Sequence, residues 1–388
     1  MKVLWLVSWY PNNLSPFNGD FIKRHAEAVS LYEEVQVIYV VRDERRELAN
    51  DIIKEELVHG NLGESIVYYA TSSMRIPFVG KFLSAQKYKA VNRNVINEYI
   101  RKKGVPDLVH VHVGMKAGII AREIRKKYGT AYVVSEHWTG FLAEAKDQFS
   151  ALPWYLRRMW RKVMKHAKGY SAVSVYLGRA LERTFGTISP RIIPNVVNTS
   201  VFFPSGDSAE GNTFIHISNL EDFKNPQQIL RAFKIVFESY PTAELKIFGS
   251  TRAAIVQLAK DLGIESRVFF HAEVPQQVLA EQIRKSVALV LYSHYETFGC
   301  VVAEANACGV PVIVSDIPVF HETVREGVNG YFAMPNDADA LATTMKTILK
   351  NRSLFNSHSI ALTSVSKYNY EVVGKQFSDW YREVTQKS

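Results

Sequence analysis

The segment SHYETFGCVVAEANACGVPVIVSD, residues 293–316, decides the fold. It follows the apolar run VALVLY (287–292), which predicts a buried strand. The glycine-containing stretch 293–299 predicts a turn, residues 300–308 predict a helix, and the apolar run 310–315 predicts the next strand. A strand, a turn, a helix and a second strand in this order are typical of a parallel α/β sheet.

Two glutamates lie eight positions apart in this segment. Glu296 falls in the predicted turn and Glu304 inside the predicted helix. The free N–H groups of a helix start attract phosphate, and carboxylates on either side can accept hydrogen bonds from hydroxyl groups. A nucleotide-sugar has this layout, because a diphosphate separates its ribose from its sugar. A solvated turn glutamate and a helix-surface glutamate would give the same spacing.

The composition is that of a globular protein with two or three domains. The 388 residues are 47% hydrophobic and 22% charged. Cys300 and Cys308 both fall in the motif helix, where packing in a reducing compartment is expected rather than a disulfide. No run approaches the roughly 18 apolar residues of a membrane span. The opening MKVLWLVSWYP is expected to form a first strand rather than a signal sequence.

The net charge of +9 is unevenly distributed along the chain. Residues 1–191 carry +12 and the remainder carries −3. Such an asymmetry indicates a basic surface on one domain that meets a polyanion or an anionic membrane.

The chain is predicted to form two similar doubly wound α/β domains. Near-continuous apolar runs separated by helix-length segments indicate parallel sheets covered on both faces. These runs are 3–9, 35–41, 108–113, 131–135, 170–175, 191–193, 213–218, 244–248, 267–271, 287–292 and 311–315. A polar connection at 194–212 separates the predicted domains, 1–193 and 213–365. The amphipathic segment 366–388 is expected to form a helix that crosses back to the first domain.

Loops after two predicted strands supply further candidates. Gly19 follows strand one and would let backbone approach a ligand closely. No G-x-G-x-x-G follows any strand, which argues against a nicotinamide-dependent dehydrogenase. In the second domain, Asn219 and Lys224 lie in a strand-to-helix loop, from which the lysine could neutralise a leaving diphosphate. A solvent-facing loop lysine is the alternative.

Histidines mark the corresponding edge of the first domain. His137 follows the run 131–135, where it could hydrogen-bond a sugar hydroxyl or shape the pocket. His110 and His112 alternate on one strand and could share a sheet face. A zinc site would need further ligands nearby, and none is identifiable from the sequence, so packing is expected.

Residues 154–168 combine six Lys or Arg with two tryptophans and a tyrosine. A helix with basic and aromatic faces can lie on an anionic bilayer. Packing of the aromatic side against the sheet is the alternative.

Taken together, these motifs resemble the retaining glycosyltransferases of family four, which have the two-domain GT-B fold. The resemblance covers essentially the whole chain. It rests on the Glu296–Glu304 pair and on five further segments. These are AEANACGVPVIVSD (303–316), ETVREGVNGYF (322–332), IIPNVVNTSVFFP (192–204), LVHVHVGMKAG (108–118) and SEHWTGF (135–141).

The resemblance implies roles by position. Glu296 would contact hydroxyls of the donor sugar and Glu304 the ribose, and the backbone N–H groups of Cys300 and Val301 would hold phosphate at the helix start. Lys224 would meet the diphosphate, and Gly19 would approach it from the first domain. Asn219, Phe298 and Gly299 would also line the donor site. His137 would lie near the sugar and acceptor. Such enzymes need no metal, so no cofactor is expected.

Two positions depart from the family pattern. Ser218-Asn219-Leu220 stands where the family has Gly-Arg-Leu, so one expected phosphate-binding cation is missing. Asn18-Gly19 replaces a pair of glycines. Another cation, such as Arg24, could compensate.

The sequence therefore predicts a retaining transferase that moves a sugar from a nucleotide-sugar to a glycan or lipid-linked acceptor, in surface-polysaccharide synthesis. The expected location is cytoplasmic, with peripheral contact between 154–168 and the membrane. A non-hydrolysing sugar-nucleotide epimerase is an alternative, since it also uses two such domains. A basic nucleic-acid-binding protein is a second alternative, but no nucleic-acid-binding motif is present and no nucleic acid partner is expected.

Overall fold

The computed structural model describes residues 1–45, 47, 52–70, 77–204 and 211–386, without the side chains of 77–82. This part of the chain forms two β-sheets. The first has eight strands in the order β3-β4-β2-β1-β5-β6-β7-β8. Their bounds are β1 (Lys2–Val7), β2 (Glu34–Asp43), β3 (Ile52–His59), β4 (Leu62–Ala70), β5 (Leu108–His112), β6 (Tyr132–Glu136), β7 (Gly169–Ala172) and β8 (Arg191–Ile192).

The second sheet has six parallel strands in the order β11-β10-β9-β12-β13-β14. The bounds are β9 (Asn212–Ile217), β10 (Ala243–Phe248), β11 (Val268–His271), β12 (Ala288–Leu291), β13 (Val312–Ser315) and β14 (Gly330–Ala333). Strand β12 is buried along its whole length, as expected for a parallel strand covered on both faces.

Helices connect the strands and cover the sheets. They are α1 (Asp20–Ser30), α2 (Pro77–Lys103), α3 (Lys116–Tyr128), α4 (Trp154–His166), α5 (Val175–Phe185), α6 (Pro226–Ser239), α7 (Ala253–Asp261), α8 (Gln276–Arg284), α9 (Cys300–Ala307), α10 (Ala338–Lys350), α11 (Ser357–Tyr368) and α12 (Tyr370–Gln386). Among the described residues, no helix combines the length and apolar character that a bilayer span requires.

The predicted fold is confirmed: two Rossmann-like α/β domains face each other across a cleft. The sequence prediction missed three strands. Strand β3 pairs antiparallel with β4 and has mostly exposed side chains, so its sequence IIKEELVH shows no buried run. Polar residues interrupt β4 at Glu64 and Ser65, and β14 is only four residues long.

The chain crosses back to the first domain through α12, as predicted. This helix packs on α1, and its Phe377 lies in the same buried cluster as Trp5. The helix begins at Tyr370 rather than at 366, because Asn369 is extended and its side chain accepts a hydrogen bond from the Val372 N–H at 2.7 Å. Residues 366–368 belong to α11 instead.

One contact between the domains joins Glu322 to the start of α5. The Glu322 carboxylate of the second domain accepts hydrogen bonds from the N–H groups of Val175 and Tyr176, each at 2.8 Å. These are the first N–H groups of α5, which favour a negative charge. Of the predicted linker, residues 205–210 lie outside the described residues, and Ile193 and Val196 pack in a buried cluster of the first domain.

Candidate functional site

A cleft of about 810 Å³ lies between the two domains, where the strands of both sheets end. In α/β sheets this edge is the usual ligand-binding position. The structure brings nine of the ten predicted site residues to the walls of this cleft. They are His137, Asn219, Lys224, Glu296, Phe298, Gly299, Cys300, Val301 and Glu304.

Gly19, the tenth, does not line the cleft, although its neighbour Asp20 does. Gly19 has a left-handed backbone with φ of 69° and forms the N-cap of α1. A Cβ at this position would lie 2.6 Å from the carbonyl carbon of Trp9. The turn between β1 and α1 therefore requires the glycine, whatever binds nearby.

The start of α9 faces the cleft. Gly299, the N-cap, has φ of 80°, and a Cβ there would lie 2.8 Å from the Phe320 ring. The helix has no side-chain cap, so the N–H groups of Cys300 and Val301 have no capping acceptor. A helix start in this state is an anion-binding site.

Glu296 is buried beside this helix start and is paired. Its Oε1 accepts hydrogen bonds from the Lys224 ammonium group and, at 2.9 Å, from the Ser293 hydroxyl. The Lys224 ammonium also lies 4.9 Å from the centre of the Phe223 ring. Buried carboxylates need such a partner, because an uncompensated buried charge costs several kcal/mol.

Glu304, one turn further into α9, is paired with a cation from the opposite domain. Arg24 of α1 donates from Nη1 to the Glu304 carboxylate at 2.7 Å, and its Nη2 lies 3.2 Å from Asp20. Arg24 is only 5% exposed. Burial opposes the charge of its guanidinium, but Glu304 and Asp20 raise its pKa above the usual value. Its Nε–H is buried and has no hydrogen-bond partner among the described residues.

Asn219 lies on the cleft wall but provides no positive charge. Its side-chain amide donates to the Glu221 carboxylate at 2.9 Å. Lys224 and Arg24 also line the cleft, and each is bonded to one glutamate of the pair.

The histidines form one buried cluster below the cleft. His112 Nδ1 lies 3.2 Å from His137 Nε2, and His25 of α1 packs beside both rings. Burial lowers the pKa of His25 to about 4, and it lowers the pKa of His112 and of His137 well below the ordinary value. The three rings are therefore neutral near pH 7, and His137 cannot serve there as a cationic acid.

The three histidines are also candidate ligands for a metal ion. The sequence identified no further ligand beside His112, but the structure places His25 and His137 there, with one ring nitrogen from each within 4.8 Å of the others. Ligand nitrogens of a tetrahedral zinc ion lie about 3.4 Å apart. At separations up to 4.8 Å the three residues could hold a metal ion only after their rings move closer.

Cys300 lies at the helix start, yet its thiol is unsuited to nucleophilic attack. Burial raises its pKa to about 12, so the thiol stays protonated. The Asn195 amide donates to its sulfur at 3.2 Å.

Glu136 is a further buried carboxyl group, beside the cleft residue His137, and no signal in the sequence pointed to it. It ends β6, next to His137, and its Oε1 accepts from the Gly114 N–H at 2.8 Å and from the Trp160 indole at 3.1 Å. Its Oε2 has no partner among the described residues. Burial raises the pKa of Glu136 to about 7.

Sequence reasoning named Arg24 only as a possible compensating cation and missed His25 altogether. Asp20 and Arg24 stand four positions apart at the start of a helix that follows strand one, a spacing that allows an ion pair on one helix face. No signal marked His25, because a buried histidine on an amphipathic helix looks like any other core position.

Family models match both halves of the chain. Residues 33–201 match Glycosyltransferase Family 4, and residues 198–362 match Glycosyl transferases group 1. Two curated relatives are similar in sequence. N-acetyl-alpha-D-glucosaminyl L-malate synthase of Bacillus anthracis is 28% identical over 72% of this chain and 75% of the relative. The O-antigen chain mannosyltransferase RfbU of Salmonella typhimurium is 29% identical over 59% of this chain and 64% of the relative.

Solved structures show the same fold. Sucrose-phosphate synthase of Thermosynechococcus elongatus superposes with a TM-score of 0.80 at 18% identity, over the full length of both chains. Anabaena Alr3699/HepE, solved in complex with UDP and glucose, has a TM-score of 0.75 at 15% identity over 99% of this chain and all of the other. At these identities the likeness establishes the fold alone.

We expect Glu136→Gln to change the pH dependence of stability. In the folded protein the carboxyl pKa is raised from 4.5 to about 7, so the folded state binds the proton more tightly than the unfolded state. Unfolding free energy therefore falls as pH rises through this window. The amide carries no such penalty, so between pH 5 and pH 8 the variant should gain about 2–3 kcal/mol relative to the parent.

Urea unfolding followed by tryptophan fluorescence at both pH values measures this gain. Glu123→Gln, at a surface pair with Arg93, is the control for the loss of one carboxylate. An equal gain in both variants would contradict the assignment to Glu136.

Proposed function

Because the chain belongs to the glycosyltransferases of family four, we propose that it is a retaining transferase that moves a sugar from a nucleotide-sugar to an acceptor hydroxyl. One observation carries the proposal. The uncapped start of α9 faces the cleft between two buried carboxylates, and each carboxylate holds a cation. This arrangement suits a diphosphate with hydroxyl-bearing groups on both sides.

In the proposed complex the diphosphate lies at the N–H groups of Cys300 and Val301. Glu304, deeper in the helix, accepts hydrogen bonds from the ribose, and Glu296, in the turn, accepts them from the donor sugar. Lys224 is bonded to Glu296 and can move to the diphosphate, where charge develops as the glycosidic bond breaks. The complex of Anabaena HepE with UDP and glucose is consistent with this type of donor.

In this proposal the configuration of the anomeric carbon is retained, because the acceptor oxygen attacks the same face from which the diphosphate leaves. The bond from the anomeric carbon to the diphosphate oxygen breaks, the acceptor oxygen takes its place, and the leaving phosphate receives the acceptor proton. His137 is neutral, and its Nδ1 is buried with no partner in the described part of the chain. It is suited to hydrogen-bond a sugar hydroxyl rather than to transfer a proton.

Incubation of the protein with the nucleotide-sugar alone, without an acceptor, distinguishes a transferase from the epimerase alternative. An epimerase interconverts the nucleotide-sugar, whereas the proposed transferase needs an acceptor. A thermal-shift screen with UDP-, GDP-, ADP- and CDP-sugars identifies the base, since a ligand that binds the folded state raises its apparent stability.

The two motif glutamates should separate in their effects on binding and turnover. Glu304→Gln should weaken binding of the nucleoside diphosphate by about 1–3 kcal/mol, because the ribose loses a charged hydrogen-bond acceptor. Glu296→Gln should leave this affinity nearly unchanged and lower turnover. Calorimetry with the diphosphate and donor-consumption assays measure the two effects, and equal losses of affinity would contradict the assignment.

The same assays test metal independence, which we propose because Lys224 and the α9 start can neutralise the leaving group. Turnover should persist in EDTA. Its loss in EDTA and recovery with magnesium would contradict this part of the proposal.

Asn219 stands where the family has a phosphate-binding arginine. Arg24 is proposed to supply the missing positive charge. It lies in the other domain, bonded to Glu304 and within electrostatic reach of Cys300 at the helix start. Its unpartnered Nε–H is available to a phosphate oxygen. Donor binding would then use charges from both domains and favour a closed cleft.

We expect Arg24→Gln to weaken binding of the nucleoside diphosphate about tenfold to hundredfold, with much less effect on the nucleoside, which has no phosphate. Calorimetry with both ligands measures the ratio, and Arg93→Gln, a surface arginine of the same domain, is the control. The loss should persist on a Glu304→Gln background. No further loss in the double variant would show that Arg24 acts only through Glu304.

A role in surface-polysaccharide assembly, close to the membrane, is also proposed. Helix α4 supports it: Trp160 and Met164 pack inward, but Trp154 and Tyr155 are 69% and 55% exposed beside basic residues. Some aromatic residues of α4 therefore pack into the domain, and the others remain exposed, where a membrane surface can contact them. The similarity to an O-antigen chain mannosyltransferase supports the pathway.

Replacing Arg157, Arg158, Arg161 and Lys162 with Ser should release the protein from anionic vesicles, since each basic residue near such a surface contributes about 1 kcal/mol. Sedimentation at low salt measures this release. The control carries the same charge change on other helices of the domain, at Arg101, Lys103, Lys126 and Lys127. Parent protein that does not sediment would contradict membrane contact without affecting the transferase proposal.

A further inference from the structure

A second cavity, of about 350 Å³, lies in the first domain outside the cleft. It is bounded by α4, by α5 and by the loop that follows His137. Three arginines line it: Arg157 and Arg161 from α4 and Arg183 from α5. The other described residues that line it are apolar, glycine or uncharged polar, and none of them is a carboxylate. In the described part of the chain the cavity is therefore a concentration of positive charge with no acidic side chain lining it.

None of the three arginines uses its guanidinium in an ion pair or hydrogen bond with another residue in the described ranges. Two other arginines of this domain, Arg24 and Arg93, are paired with Glu304 and Glu123. The Nε of Arg157 is buried and has no hydrogen-bond partner within the same ranges. A buried donor without an acceptor is unfavourable, so an acceptor that enters the cavity from outside the chain would stabilise it.

Aromatic side chains form one wall of the cavity. Phe141 and Phe149 are buried, pack against each other at 5.5 Å and contact Trp160 and Phe185. The Arg161 guanidinium lies 6.0 Å from the centre of the Phe149 ring. Guanidinium groups form bidentate hydrogen bonds with phosphate oxygens, and three arginines around one cavity match the higher charge of a phosphate better than that of a single carboxylate.

The cavity and the cleft lie on opposite sides of one short loop. His137, Trp138 and Thr139 line the cleft, while Gly140 and Phe141 line the cavity. Four residue steps span at most about 14 Å, so a molecule of modest size could reach both. The loop is fixed, because Trp138 stacks on Trp160 of α4 at 5.2 Å.

We propose that this arginine pocket, defined by Arg157, Arg161 and Arg183, binds a phosphate group carried by the acceptor. The phosphate anchors the acceptor on the first domain while its hydroxyl extends past Trp138 into the cleft. The phosphate can belong to a lipid-linked acceptor or to a soluble phosphorylated one. That this phosphate belongs to an acceptor rests on the proposed function, whereas phosphate binding by the pocket does not.

Calorimetry with inorganic pyrophosphate tests the pocket in the full chain. The nucleoside diphosphate that binds the cleft is present at saturation, so that the donor site is occupied. The pocket variant replaces Arg157, Arg161 and Arg183 with Gln. The control variant replaces Arg101, Lys126 and Lys127 with Gln; these residues lie on α2 and α3, outside the pocket and outside the basic face of α4, and their replacement removes the same charge.

We expect the parent and the control variant to bind one pyrophosphate and the pocket variant to lose at least tenfold in affinity. Equal losses in both variants would show only an effect of net charge and overturn the proposal. Unchanged binding in the pocket variant, or no binding by the parent, would also overturn it. If no nucleotide binds the cleft, the proposed function fails, and the pyrophosphate titration alone still decides the pocket.

Vesicle sedimentation distinguishes the two sources of phosphate. Vesicles of phosphatidylcholine with phosphatidic acid present a phosphomonoester at a membrane surface. Sedimentation of parent and control, with release by pyrophosphate and loss in the pocket variant, assigns the pocket to a lipid-linked phosphate. Pyrophosphate binding without pocket-dependent sedimentation assigns it to a soluble phosphorylated acceptor.

Discussion

Two buried carboxylates at the start of one helix place the strongest constraint on this molecule. A helix that begins at Gly299 favours an anion, yet Glu296 and Glu304 already place negative charge beside it. Burial of these charges requires cations, and the chain supplies Lys224 from the same domain and Arg24 from the opposite one. Arg24 thus links the two domains across the cleft, and a donor diphosphate would attract both cations.

Most residues of this site could be predicted from the sequence, because the patterns that mark them are local. Strand, turn and helix follow one another within residues 287–308, so the positions of Glu296 and Glu304 could be derived from periodicity and turn chemistry. The resemblance to a family then supplied their roles. Edge strand β3 could not be derived, since an exposed antiparallel strand has no apolar pattern that distinguishes it from a loop.

Contacts between elements far apart in the chain could not be predicted from such local patterns. Arg24 and Glu304 are 280 positions apart, and only the packing of the two domains shows that one neutralises the other. The same holds for His25 of α1, which lies beside His112 at the end of β5 and His137 just after β6. The arginine pocket also combines two helices whose separate sequences indicate no more than basic surfaces.

The crossing of α12 has a consequence for biosynthesis. Phe377 and Trp380 complete the core around Trp5, although the whole second domain lies between them in the chain. During translation the first domain emerges first, but its hydrophobic surface stays uncovered until residues 370–386 have left the ribosome. The second domain, whose strands and helices all precede that point, can fold earlier. The half that is made first is therefore finished last, and its nascent form is the state most exposed to aggregation and most in need of chaperones.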